Sequence, residues 1–217
     1  MSAQSDSNNN GASRRDLFRQ AAGAVAAAAA LTVSAATAGA QTIPAYADPA
    51  EPGLPASNME LIRGRVGLVV VDPQNDFLTE AGVAWGVVGE SVREHNVVEN
   101  IERLFIAAKA AGLPVVISPH YYYPTDHGWA FEGTLEKVMH SIKMFDRRGP
   151  TDISGFQGSG ADFVERYKPY ILDGKTVVAS PHKLYGPEQN DVGLQLRKQR
   201  VDQVILAGMS SDRKSVV

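Results

Sequence analysis

Val69-Val70-Val71-Asp72-Pro73-Gln74-Asn75-Asp76-Phe77 places a carboxylate where a continuous apolar run gives way to a loop. The run begins at Val66, and an unbroken stretch of that length suits a strand covered on both faces of a parallel sheet, because both of its side-chain rows are buried. Ligands in open parallel sheets gather outside the carboxyl ends of the strands. Asp72 is therefore a candidate general base rather than a solvated surface charge.

Strands and helices alternate outward from this point. The segment from Glu94 to Ala111 puts Val97, Val98, Ile101, Leu104, Phe105 and Ala108 on one helical stripe, and Gly112 follows as a C-cap. Pro114 to Ser118 reads as a second buried strand. Between Pro119 and Gly160 the pattern loosens into an aromatic, His-containing insertion with a helix around Leu135 to Met144, and insertions after strand ends are where specificity is usually built. Ala161 to Lys168 reads as a short helix stopped by Pro169, Thr176 to Ala179 as a third strand, Asp191 to Lys198 as a helix and Gln203 to Ala207 as a fourth strand. Such alternation with short links predicts right-handed crossovers and an α/β, Rossmann-like three-layer fold with a mostly parallel sheet. No further helix or strand pattern follows Ala207, so the sheet is expected to be incomplete at the C-terminus.

Composition sets the address and excludes several partners. Residues 1–13 are polar, Ser13-Arg14-Arg15-Asp16-Leu17-Phe18-Arg19 carries paired arginines, and the stretch from Gln20 to Ala47 is uncharged and Ala-rich. That is the layout of an export signal of the twin-arginine kind over residues 1–47, with small-residue cleavage sites at Ala38-Gly39-Ala40 and Ala45-Tyr46-Ala47. A Pro/Ala-rich linker over 48–58 and a folded domain over 59–217 follow, and the expected location is periplasmic or secreted. Alanine is too weakly lipophilic for that stretch to make a stable membrane span. The chain has 21 basic and 24 acidic residues; removing Arg14, Arg15, Arg19, Asp6 and Asp16 leaves 18 against 22, which gives nucleic acid no electrostatic footprint. The sequence holds no cysteine, so no disulfide framework supports the domain and its core must do so.

Three strand ends carry the chemistry-bearing residues. Asp72 follows the first, Lys183 follows the third in Ala179-Ser180-Pro181-His182-Lys183-Leu184-Tyr185-Gly186, and Gly208-Met209-Ser210 follows the fourth. From about Arg65 to Ser210 these blocks resemble the isochorismatase-like superfamily of cysteine hydrolases, which includes nicotinamidases and other amide-cleaving enzymes. The resemblance implies a triad of Asp, Lys and Cys: the thiol attacks a carbonyl or related carbon, Asp72 takes its proton, and Lys183 holds charge in place. It also implies hydrolysis of a small amide or related C–N bond without a cofactor. Members of the superfamily usually place Cys-Val shortly after the Gly-Met-Ser turn, at the start of a helix. Here Ser211-Asp212-Arg213-Lys214-Ser215-Val216-Val217 follows, with Lys214 at the cysteine position, where it is not expected to function as a nucleophile. The resulting expectation is a truncated or frame-shifted member, inactive as written; a non-catalytic small-molecule-binding remnant of the same fold is the alternative.

The remaining candidates are weighed on spacing. His120 and His127 invite a metal reading, because some nicotinamidase-like members hold zinc in the corresponding loop, but the carboxylate spacing does not match and no metal is expected. His120, Tyr121, Tyr122 and Trp129 are instead expected to line the substrate pocket. Gly155-Phe156-Gln157-Gly158-Ser159-Gly160 lacks the order of a dinucleotide fingerprint and reads as a loop. Asp76 reads as a helix N-cap, His182 as a loop residue, His140 as a helix-surface residue, and His95 offers no site. An uncovered sheet edge would favour pairing with a second copy, so a homo-oligomer is a further expectation.

Overall fold

The computed structural model describes residues 59–184 and 189–209. The export signal, the linker and Lys214 lie outside the described residues. Val66–Val71 forms β1, a strand buried at every position, as its unbroken apolar run predicts. β1 pairs in parallel with β2 (Val115–Ser118) on one side and with β4 (Gln203–Gly208) on the other, and β3 (Val177–Val178) lies beyond β2. The order β3-β2-β1-β4 means that the chain winds one way from β1 to β3 and then returns to the opposite side of β1. The strand order reverses between β1 and β4, and the carboxyl ends of those two strands flank the crevice where open sheets of this kind bind ligands.

Helices cover both faces. On one face Leu68, Val70, Val115 and Ile117 meet Ile101, Phe105 and Ala108 of the helix Val97–Ala110, joined by Tyr167 and Ile171. Burying residues of this size contributes about 1.5–3 kcal/mol each. The helix ends as its sequence predicts: Gly112 adopts φ +67°, its N–H donates to Lys109 O at 3.1 Å, and the Leu113 N–H donates to Ala108 O at 2.9 Å. Those two bonds form a Schellman motif that satisfies orphan carbonyls. On the other face Val69, Val71, Val116 and Ala179 pack against Val192 of the helix Val192–Lys198.

In chain order the α-helices are α1 (Asn75–Leu78), α2 (Trp85–Glu94), α3 (Val97–Ala110), α4 (Thr134–Ser141), α5 (Lys168–Ile171) and α6 (Val192–Lys198). Two expectations need correction. Pro169 does not stop a helix running from Ala161; it sits in the first turn of α5, where its missing N–H costs nothing, and only a 3₁₀ turn at Glu165–Tyr167 precedes it. Asp76 is not an N-cap but lies inside α1, buried. Among the described residues no helix is long and apolar enough to cross a membrane.

Candidate functional site

Asp72 is fully buried and adopts φ +51°, a left-handed conformation uncommon for a residue with a side chain. Its N–H still donates to Ser118 O at 3.0 Å, so the backbone leaves the sheet by turning directly after the last ladder bond. The turn carries the chain into Gln74, whose fully buried amide links three segments. Gln74 Nε2 donates to His120 O at 2.9 Å and to Ala161 O at 2.7 Å, and Gln74 Oε1 accepts the His120 N–H at 2.8 Å. One side chain thus holds the loop after β1, the loop after β2 and the start of the segment after Gly160 in register.

His120 is one of two histidines brought to Asp72. The second is His182: His182 Nε2 lies 2.8 Å from Asp72 Oδ1, and His120 Nδ1 lies 3.9 Å from Asp72 Oδ2. The histidines face each other across a parallel bridge in which the His182 N–H donates to Pro119 O at 3.0 Å, with ring centroids 4.6 Å apart. The His120 ring also packs on Tyr122 and Phe145. All three polar groups are buried, at the carboxyl ends of β1, β2 and β3.

Lys183 is anchored differently from its neighbour. Its ammonium donates to Tyr121 O at 2.9 Å, pairs with Asp126 and lies 4.1 Å from the centre of the Tyr123 ring. The structure thus brings Asp72 to His182 and His120, and gives the Lys183 charge to Asp126 on the 3₁₀ turn Pro124–Asp126.

The residues expected to line a substrate pocket divide into separate environments. Tyr121 stacks edge-on against Phe156 and lies under the Arg147 guanidinium, 4.6 Å from its ring centre, and burial pushes its phenol far above the ordinary range. Tyr122 is fully buried, with its hydroxyl against Met139 Sδ and its ring against Trp129 and His140. His127 pairs with Asp146 at 3.1 Å, so the ring of Tyr122 stands between it and His120. His140, read as a helix-surface residue, is instead packed between Tyr122 and Trp129 and pairs with Glu132.

A cavity of ≈ 530 Å³ opens beside the site, lined by residues that include Asn75, Asp76, Lys143, Asp146 and Ser159. Asp76 accepts the Phe145 N–H at 2.7 Å and the Val83 N–H at 3.2 Å. Burial pushes its carboxyl above the usual range, against the pull of those two donors, and burial does the same to Asp146.

Sequence reasoning missed His182, Gln74 and Asp126 as parts of this arrangement. For Gln74 a signal existed, since it lies within the block that follows β1. For His182 none did, because 62 positions separate it from His120 and only the parallel bridge joins them.

Comparison with known proteins places this geometry. A family model described as an isochorismatase domain matches residues 66–213. No curated protein matches. A cysteine hydrolase from Pseudomonas syringae pv. phaseolicola 1448A is 21% identical with a TM-score of 0.54, over 74% of this chain and 66% of that one. An isochorismatase from Pseudomonas putida KT2440 is 16% identical with a TM-score of 0.45, over 72% and 62%. N-carbamoylsarcosine amidase from Thermoplasma acidophilum is 20% identical with a TM-score of 0.47, over 66% and 67%. The chain therefore spans slightly under two thirds of the first two proteins. At such identity the likeness to the first is one of fold.

Proposed function

This chain belongs to the isochorismatase family, and on that premise we propose that its scaffold serves hydrolysis of a small amide or related C–N bond, with Asp72 as the proton acceptor. The observation that carries the reading is the buried, left-handed Asp72 at the carboxyl end of the central strand, beside the reversal of strand order. A group held in a strained backbone conformation at such a place is a recurrent mark of function. In the thiol mechanism the family resemblance implies, the carboxylate takes the thiol proton as sulfur bonds to carbon and returns it to the nitrogen as the C–N bond breaks, and water then releases the acyl group from sulfur. Lys183, braced by Asp126 and Tyr121 O, would set the charge at the rim of the same crevice.

The 217 residues contain no thiol to be deprotonated. They are therefore proposed to bind a small substrate without turning it over, and the alternative of a purely binding role rests on the same absence. Ammonia release from a panel of small primary amides and N-carbamoyl compounds separates the readings when measured beside Trp129 fluorescence on ligand addition. The expected outcome is no release above that of D72N, with a saturable fluorescence change that D72N weakens. Turnover by the unaltered chain that D72N abolishes would overturn the inactivity, and no saturable response to any compound would overturn the substrate reading.

The proposal extends to location. Fusing residues 1–58 to a reporter is expected to give periplasmic signal that R14K/R15K abolishes. Reporter retained in the cytoplasm would remove that part of the reading.

A further inference from the structure

We propose that Asp72, His120 and His182 form a binding site for a first-row divalent transition metal of the zinc class. Ligand atoms from the three side chains all lie within 4.8 Å of one another, and all three residues are buried. Asp72 directly follows β1, and His120 and His182 lie in the loops after β2 and β3, where a parallel bridge between them sets their convergence. Two imidazoles and one carboxylate form a donor set that favours zinc, cobalt, nickel or iron over calcium or magnesium, which take oxygen ligands.

The separations fit. With metal–ligand bonds of about 2.0–2.1 Å, tetrahedral geometry holds neighbouring ligand atoms roughly 3.4 Å apart. The Asp72–His182 distance of 2.8 Å and the Asp72–His120 distance of 3.9 Å lie on either side of that value. Closing the widest separation requires movement on the order of 1 Å, shared among side chains. The pair first weighed from the sequence, His120 with His127, is not the pair the fold assembles; Gln74 orients His120 from behind through its backbone, and the loop after β3 supplies His182.

Such a site ties together the loops after β1, β2 and β3, so bound metal should raise the unfolding temperature by mass action. The inference does not rest on the hydrolase reading: a metal would engage the same Asp72 that the reading uses as proton acceptor, but the test reads metal binding and not turnover, so either can fail without the other.

The test uses the whole 217-residue chain, stripped with a chelator and titrated with Co²⁺ and then Zn²⁺. One equivalent of Co²⁺ is expected to give visible d–d bands that Zn²⁺ displaces, and Zn²⁺ is expected to raise Tm. Imidazole ¹⁵N signals of His120 and His182 should shift with Zn²⁺, while those of His95, His127 and His140 stay in place. H182Q, which can keep a hydrogen bond to Asp72 but is a poor ligand, should weaken binding by more than about 100-fold, since loss of an outer partner alone costs roughly 10- to 100-fold, and H127A should leave it unchanged. Absence of the cobalt bands in the unaltered chain overturns the site, as do bands retained at full affinity in H182Q or shifts confined to the other three histidines. If H182Q does not fold, the spectra of the unaltered chain decide the matter alone.

Discussion

Two carboxylates four residues apart live in opposite circumstances. Asp72 faces imidazoles, whereas Asp76 faces two backbone N–H groups in a site where desolvation outweighs them and raises its pKa. The sign of the consequence follows from linkage. Because the folded protein holds the Asp76 proton more tightly than the unfolded chain does, its contribution to stability is present at low pH and is lost as pH rises from the ordinary carboxylate range through the raised value. The neighbouring carboxylate of Asp146 adds to the elevation. Urea unfolding across an acid series is therefore expected to show the stability difference between the unaltered chain and D76N shrinking as pH rises, and a difference that grows would contradict the burial argument. Gly160 offers a second handle on the same carboxylate, since a Cβ added there would stand 2.0 Å from Asp76 Oδ1. G160A should cost about 1–3 kcal/mol as overpacking. It should combine with D76A less than additively, because the second change removes the atom that the first collides with. Full additivity would show that the cost lies elsewhere.

At the level of elements, the crevice depends on how closely the end of β4 approaches the end of β1. Gly208 has φ +138°, and a Cβ on it would lie 2.1 Å from Val71 O, a backbone atom held in the central strand. Backbone cannot move aside as a side-chain tip can, so G208A should destabilise by about 3 kcal/mol. Calorimetry would show this as a lowered Tm, and an unchanged value would mean that β4 can withdraw from β1 without loss. Periodicity and punctuation made much of this architecture readable. The four strands fall within a residue or two of their apolar runs, and Gly112 closes α3 where a C-cap was expected. Local pattern failed where its cues were thin or pointed two ways. α2 buries only Gly89 and Val92, too narrow a stripe to stand out in sequence, and Pro169 serves equally as a stop or as a first-turn residue. The site was legible in its carboxylate and only partly in its partners: Asp72 announced itself at the end of an apolar run, but neither His182 nor the pairing of Lys183 with Asp126 could be read without the register that joins distant loops.

Across the whole molecule, the two faces of the sheet are unequally covered near β4. Ile205 and Ala207 pack on the larger core, and strand alternation turns Val204 and Leu206 to the opposite face, where they remain 45% and 36% exposed. That face is covered over β1 and β2 by Val192 and Leu196 of α6, and among the described residues the cover does not extend across β4, which also ends the strand order. Apolar side chains next to an unpaired strand edge form a template for pairing with other chains, by both backbone hydrogen bonding and burial. The prediction is that the 217-residue chain scatters light increasingly with concentration and temperature, and that V204T/L206T slows this several-fold. Stability itself should change by no more than about 1–2 kcal/mol, since both side chains are already 45% and 36% exposed and threonine favours strands. The two measurements separate the causes. If the double variant aggregates as fast as the unaltered chain at equal stability, the association proceeds through another surface, whereas a large loss of stability would mean that these residues are covered in solution by chain beyond the described residues.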